Sequence, residues 1–261
     1  MNAEGAGDDL ILTSVEGGIA VVTLNRPDSR NAIDDVLREV LRGKLAELAD
    51  RADVSVVVLT GAGNAFSAGG DVKAMRERAA AAPGTVAFRG WRRQRRTAAF
   101  VRSVHALEKI TIAALNGPAV GLGMDLALAC DFIVAADDAW LSSAFVQRGL
   151  IPDGGGLYHL PRRIGLQRTK ELIFTGRRVP AAEALSMGLV DRVAPAGELL
   201  PATVEFAASF LNASPPAIAL MKSIVNRSFE SSLDGVAELG GLSQAVAYTT
   251  DEHRGGLETL R

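Results

Sequence analysis

Two glycine-rich segments and two acidic residues in this sequence have the types and spacing to do chemistry. The first segment is Ile110–Ala129, ITIAALNGPAVGLGMDLALA. A β-prone apolar run to Leu115 meets Asn116-Gly117-Pro118, and Gly121-Leu122-Gly123 then opens an apolar helical pattern. Glycines at such a junction let backbone N–H groups come close to a ligand, and a starting helix aims its unpaired N–H groups at the same point. Val54–Thr60 (VSVVVLT), Gly61–Gly70 (GAGNAFSAGG) and a helix start at Asp71-Val72-Lys73 repeat that logic upstream. Two such units can place two N–H groups on one oxygen, as an oxyanion hole requires. Asp125 lies in the first turns of the helix after Gly121. It reads either as an acid favourably placed near a helix N-terminus or as a carboxylate beside the oxyanion donors. Asp153 opens Asp-Gly-Gly-Gly after Pro152 and below Leu150 and Ile151. It reads either as an Asx-turn or helix N-cap or as a general base.

Other chemistries fit less well. No Lys-Ser/Thr follows the Gly61–Gly70 loop, so it is not a phosphate-binding P-loop. Ala65-Phe66-Ser67-Ala68-Gly69 has alanine where a nucleophile elbow needs glycine. The histidines, His105, His159 and His253, are not placed suggestively, and no metal site is expected. The single cysteine, Cys130, ends an apolar helix and reads as core.

The elements that must position these residues alternate in type. Leu10–Ser14 and Ile19–Leu24 read as a hairpin about Glu16-Gly17-Gly18. Asp34 or Asp35 caps a helix to about Ala49, with Val36, Leu37, Val40, Leu41, Leu45 and Leu48 on one face. A short helix ending in Arg76–Pro83 precedes a longer one from Gly84 to about Glu108. Its six arginines read as a solvated face rather than a nucleic-acid or phosphate patch. Phe132–Ala135, Trp140–Ser142 and Leu189–Val193 read as strands, and Leu157–Leu160, Gly165–Thr175 and Ala181–Met187 as helices. From Leu199 the pattern is wholly helical: Pro201–Ala213, Pro216–Phe229 and Leu233–Thr249. Strand–helix alternation predicts an α/β fold with a parallel sheet, and the switch divides the chain into 1–198 and 199–261.

At 261 residues with 48% hydrophobic and 22% charged residues, the chain has an ordinary globular composition. A net charge of −2 gives no overall attraction to nucleic acid or an anionic membrane. No apolar run reaches the ~18–20 residues of a membrane span. The acidic first residues do not read as a signal peptide, and one cysteine suits a reducing compartment. The expectation is a cytoplasmic protein.

Several motifs together resemble the enoyl-CoA hydratase/isomerase (crotonase) superfamily. They are Val22-Thr23-Leu24-Asn25-Arg26-Pro27 with Asn31-Ala32, Ala65-Phe66-Ser67-Ala68-Gly69-Gly70-Asp71, Asn116 to Asp125, and Gly149-Leu150-Ile151-Pro152-Asp153-Gly154-Gly155. The order covers nearly the whole chain, including Thr175-Gly176-Arg177 and Glu183-Ala184 with Gly188-Leu189-Val190. The resemblance implies a spiral of ββα repeats, a helical C-terminal trimerisation region, and a homotrimer or dimer of trimers. It also implies an acyl-CoA thioester substrate, with coenzyme A part of the substrate and no separate cofactor. Carried over, the oxyanion donors are the N–H groups of Gly70 and Leu122. Arg30, Ala32, Ala68, Asp71 and Val72 match positions that line the CoA site. Asp125 matches the first of two glutamates used by hydratases, and Asp153 an acidic position used by some isomerases.

The position of the second hydratase glutamate holds Phe145, which cannot exchange a proton. Hydration needs a water deprotonated while Cα is protonated, which two carboxylates do well; moving a double bond needs one base. The resemblance therefore favours an enoyl-CoA isomerase, with Asp153 as base and Asp125 as helper, over a hydratase. A non-catalytic acyl-CoA-binding protein is the competing class.

Overall fold

The computed structural model describes residues 10–71, Arg76 and 83–258. The expected helix start at Val72-Lys73, most of Arg76–Pro83 and the proposed CoA contact Val72 lie outside the described residues. The main sheet has six strands in the order β1 (Ile11–Glu16), β2 (Ile19–Leu24), β3 (Val56–Gly61), β4 (Ile110–Leu115), β6 (Phe132–Ala136) and β9 (Arg192–Ala194). Only the β1–β2 hairpin is antiparallel; the other pairs are parallel. β4 is buried at every residue, as expected of a parallel strand covered on both faces. β1, at the sheet edge, is exposed at Leu12, Thr13, Ser14 and Glu16.

After β2, β3, β4 and β6 the chain makes a short crossing segment before its next helix or loop. These segments pair with one another as a second layer. Ile33 bridges Gly70, Ser67 bridges Ala119, and β5 (Ala119–Val120) pairs with β7 (Trp140–Ser142). β8 (Val179–Pro180), not anticipated from the sequence, closes this layer antiparallel to β7. Each strand, crossing segment and following turn is one step of a ββα spiral, and the chemistry-bearing loops fall on the second layer.

The first helix, α1 (Asp35–Asp50), is capped by Asp34, whose side chain accepts the Leu37 N–H at 2.8 Å. Leu37, Leu41, Leu45 and Leu48 are buried on its inner face, whereas Val36, a full helical step round from Leu37, is exposed. α2 (Pro83–His105) buries Phe100, Val101 and Val104, and its arginines 89, 92, 95 and 96 are exposed. α3 (Leu122–Leu128) is buried at every residue. The two helices expected between Leu157 and Thr175 run on as α4 (Gly156–Thr175), broken where Gly165 takes φ 74° and ψ 168°. α5 (Ala181–Ser186) leads to β9.

The final run begins with α6 (Leu199–Ala208), which lies across the main sheet and buries Leu199, Thr203 and Ala207. By contrast, α7 (Pro215–Val225) and α8 (Leu233–Ala247) bury no residue and expose Met221, Val225, Leu233 and Leu242. α9 (Asp251–Glu258) was not legible in the sequence, because its apolar content is low. Among the described residues no helix is long and apolar enough to cross a membrane. Cys130 is buried, and burial pushes its thiol up to about 12, as a core residue's would be.

Candidate active site

The first glycine-rich loop is fixed by two asparagines. Asn31 is fully buried and takes φ 54°, a left-handed conformation that asparagine tolerates better than most residues. Its Nδ2 donates to the carbonyls of Ala62 at 2.9 Å and Ala65 at 2.8 Å, and its Oδ1 accepts the Arg26 N–H at 2.9 Å. Asn116, from the second loop, donates to Gly63 O at 2.9 Å and accepts the Gly61 N–H at 3.1 Å. Ser67 Oγ donates to Asn31 O at 2.8 Å and accepts the Gly69 N–H at 3.1 Å. None of these three side chains was singled out from the sequence as a determinant of the site. The available signal was that each is polar and lies within a quoted motif.

The second layer decides where the remaining N–H groups point. Ile33 donates to Gly69 O at 2.7 Å, and Asp71 donates to Ile33 O at 3.3 Å. In a parallel bridge this turns the N–H of Gly70 away from Ile33, towards the neighbouring segment. On that side Val120 donates to Ser67 O at 2.9 Å, and Gly121 donates to Ser142 O at 2.9 Å. The following residue, Leu122, is the first of α3, so its N–H has no intrahelical acceptor. Neither the Gly70 nor the Leu122 N–H has an acceptor among the described residues. Gly69, at φ +86°, brings the two together: a Cβ there would lie 3.2 Å from Leu122 N and 2.4 Å from Val120 O. Only glycine allows that approach.

Asp125 projects from α3 beneath the turn that carries Asp153. It is 1% exposed, and its Oδ2 accepts the Gly154 N–H at 3.0 Å. Gly156 crowds the other oxygen, where a Cβ would come within 2.4 Å of Oδ1. Burial pushes the Asp125 carboxyl up to about 7, opposed by the Gly154 and Gly156 N–H groups and helped by the charge of Asp153. Asp153 is half-buried and faces a cavity of about 910 Å³ between α2, the Asp153–Gly155 turn and α7. It is not the cap of α4: the N-cap residue is Gly155, at φ 102°, with no side-chain cap bond. Leu150 and Ile151, expected to roof Asp153, are both exposed. Phe145 is buried, its ring edge 3.7 Å from the position of a Gly121 Cβ, next in the chain to Leu122.

The remaining expected contacts gather on the outer side of the same layer. Arg30, at φ 51° and exposed, offers its carbonyl to the Ala68 N–H at 2.8 Å. The carbonyl of Ala32 accepts Arg26 Nη1 at 2.6 Å, and Arg26 also reaches Asp34 at 2.9 Å and Asp71 at 3.6 Å. Arg26 thereby ties Ala32 and Asp71 to one patch. His105 and His159, set aside in the sequence, also line the cavity, with ring centroids 4.9 Å apart.

A ββα spiral presenting two unpaired N–H groups beside an acidic turn is the crotonase class of fold. Comparison with known proteins places the chain within that class: it belongs to the enoyl-CoA hydratase/isomerase family, whose model matches residues 14–258. It is 35% identical over 248 residues to the Mycobacterium bovis protein named "Probable enoyl-CoA hydratase echA8", covering 95% of this chain and 93% of that one. It is 32% identical to the short-chain-enoyl-CoA hydratase of Clostridium acetobutylicum, over 94% and 91% of the two chains. The crystal structure of an enoyl-CoA hydratase/isomerase from Cupriavidus metallidurans superposes with a TM-score of 0.89 at 35% identity, covering 97% of this chain and 93% of that one. The chain is accordingly an acyl-CoA enzyme of this family.

Proposed function

We propose that this enzyme shifts a C=C double bond of an enoyl-CoA through a thioester enolate. The observation that carries the reading is the pair of acceptor-free N–H groups at Gly70 and Leu122, brought together by Gly69. They receive the thioester oxygen and strengthen their bonds as it gains enolate charge, which is where such donors lower a barrier. Asp153, facing the cavity, takes a proton from one carbon and returns it to another. Asp125 holds the Asp153 turn from below through Gly154. Phe145 closes the wall and keeps out the water that hydration would need. Arg30, Ala32, Ala68, Asp71 and Val72 contact the coenzyme A portion. The step is a proton transfer within one substrate and needs neither cofactor nor metal.

Hydration is the second reading, favoured by the names of several relatives and by the paired carboxyls of Asp125 and Asp153. Turnover of 2-enoyl- and 3-enoyl-CoA thioesters in deuterated water separates the two. Double-bond migration with deuterium incorporated at Cα or Cγ and no 3-hydroxyacyl-CoA is expected; a hydrated product refutes the isomerase. Failure to bind any acyl-CoA refutes both.

The exposed apolar residues of α7 and α8 support self-association, which we take to be the trimer or dimer of trimers implied by the family resemblance. Light scattering that finds only monomer at micromolar concentration rejects that assembly.

A further inference from the structure

The cavity in front of Asp153 is apolar over much of its wall, through Val101, Leu107, Ala219 and Leu220, but not throughout. Where α2 ends, His105 meets Tyr158 and His159 from the start of α4. The three rings pack edge to face, with centroids 4.9 Å apart for the histidine pair and 5.1 Å for Tyr158 and His159. Phenylalanines would pack equally well, so packing alone does not account for imidazoles. Hydrogen bonding within the protein does not account for them either. Tyr158 donates its hydroxyl to Asn226 O at 2.9 Å, and Asn226 Nδ2 donates to the His105 carbonyl at 3.0 Å. These bonds dock α7 on the cluster through backbone carbonyls and leave the imidazole nitrogens out. Neither His105 nor His159 makes a side-chain hydrogen bond among the described residues.

Both rings stay uncharged. Burial lowers His159 to about 3, helped by His105, Arg163 and Arg162, and burial likewise lowers His105, helped by Lys222. A neutral imidazole offers one donor and one acceptor. Two of the nearby cations are engaged elsewhere, whereas Arg102 and Arg227 also line the cavity. Lys222 donates to Asp131 at 2.6 Å and to Lys109 O at 2.9 Å, while Arg162 pairs with Glu230 and lies over the Tyr158 ring at 3.5 Å. Two neutral imidazoles with no protein hydrogen-bond partner among the described residues, on a wall that also carries Ser223, Glu108, Arg102 and Arg227, thus distinguish this cavity from a hydrocarbon pocket.

We infer that the acyl group accepted here carries an oxygen function on its tail, a hydroxyl or carbonyl received by the ring nitrogens of His105 and His159. The inference rests on the acyl-CoA reading above and names the substrate class within it. The cavity, at about 910 Å³, is near the upper end of the ~300–1,000 Å³ usual for small-molecule sites, so it accommodates more than a short unbranched acyl group. A plain hydrocarbon tail would cover the imidazole nitrogens without replacing their water. Burying polar groups unpaired is what makes hydrogen-bonding pockets reject such analogues.

The test is calorimetric titration with saturated acyl-CoA thioesters, which bind without turnover. Pairs of six, eight and ten carbons are used, each as the alkyl compound and its terminal hydroxy derivative. The unmodified enzyme should favour the hydroxy member by at least about tenfold at the chain length that reaches the cluster. In His105→Phe/His159→Phe, which keeps the ring packing, that preference should fall below about threefold as the alkyl compound gains affinity. His159→Asn, which restores a donor and an acceptor, should retain part of it. Equal affinities in the unmodified enzyme, or a preference unchanged in the double variant, overturn the inference while leaving the acyl-CoA reading intact. Absence of binding by every thioester and by coenzyme A overturns both.

Discussion

Asp125 pits two physical effects against each other, and their outcome can be measured. Its carboxylate accepts the Gly154 N–H and is approached by Gly156, which favours ionisation, but it is 1% exposed, which opposes it. Burial prevails, raising the carboxyl from 3.8 to about 7. Below pH 3.8 the group is protonated in both folded and unfolded chains and contributes no pH dependence. As pH rises from there to about 7, the unfolded chain releases the proton while the folded one keeps it. The unfolded state binds fewer protons in that window, so stability must fall with pH; by about one unit above 7 the loss is complete and constant. The gap is roughly three pH units, and at about 1.36 kcal/mol each it amounts to about 4 kcal/mol. Asp125→Asn removes the titration with little change of shape. Urea unfolding of both proteins from pH 4 to 8, read as their difference, cancels the other carboxylates. The difference should move by about 3 kcal/mol in favour of the asparagine variant between pH 4 and 7. A flat difference would show that the glycine N–H groups hold Asp125 ionised and refute the argument.

The other predictions bear on the proposed chemistry. Asp153→Asn should lower kcat about 100-fold or more with acyl-CoA affinity within about threefold; full activity would reduce Asp153 to a turn residue. Gly69→Ala puts a methyl group 2.4 Å from the Val120 carbonyl, at a φ of +86°. By separating the Gly70 and Leu122 donors it should cost about 100-fold in kcat, the usual effect of losing one oxyanion donor, and normal turnover would argue against their pairing. Asn31→Ala strips partners from the Arg26 N–H and the Ala62 carbonyl, a loss of about 3 kcal/mol in denaturant unfolding. An unchanged midpoint would mean the loop holds itself.

Local pattern is what made much of this molecule legible. β2, β4 and β7 lie where alternating and continuous apolar runs placed them, and Asp34, one of the two aspartates that could cap α1, is the one that does. The glycine-rich segments were readable because a strand-to-helix turn that bares N–H groups needs residues without side chains. Within 156–175 the sequence placed a helical stretch on each side of Gly165, and the non-helical φ 74° and ψ 168° of that residue do separate the two halves of α4.

What the sequence determined by itself was the order of strands, loops and helices, the family motifs, and the types of residue at the site. Tertiary structure decided how they face one another. Asp125 and Asp153 are equally acidic on paper, yet one is shut beneath Gly154 and the other opens onto the cavity. His105 and His159 lie more than fifty positions apart and become neighbours only because α2 ends against the start of α4. Residue type and spacing are local properties of a chain. Burial, the direction of an N–H and the charge a carboxyl can carry depend on what comes to lie around it, and that is set by contacts distant in sequence.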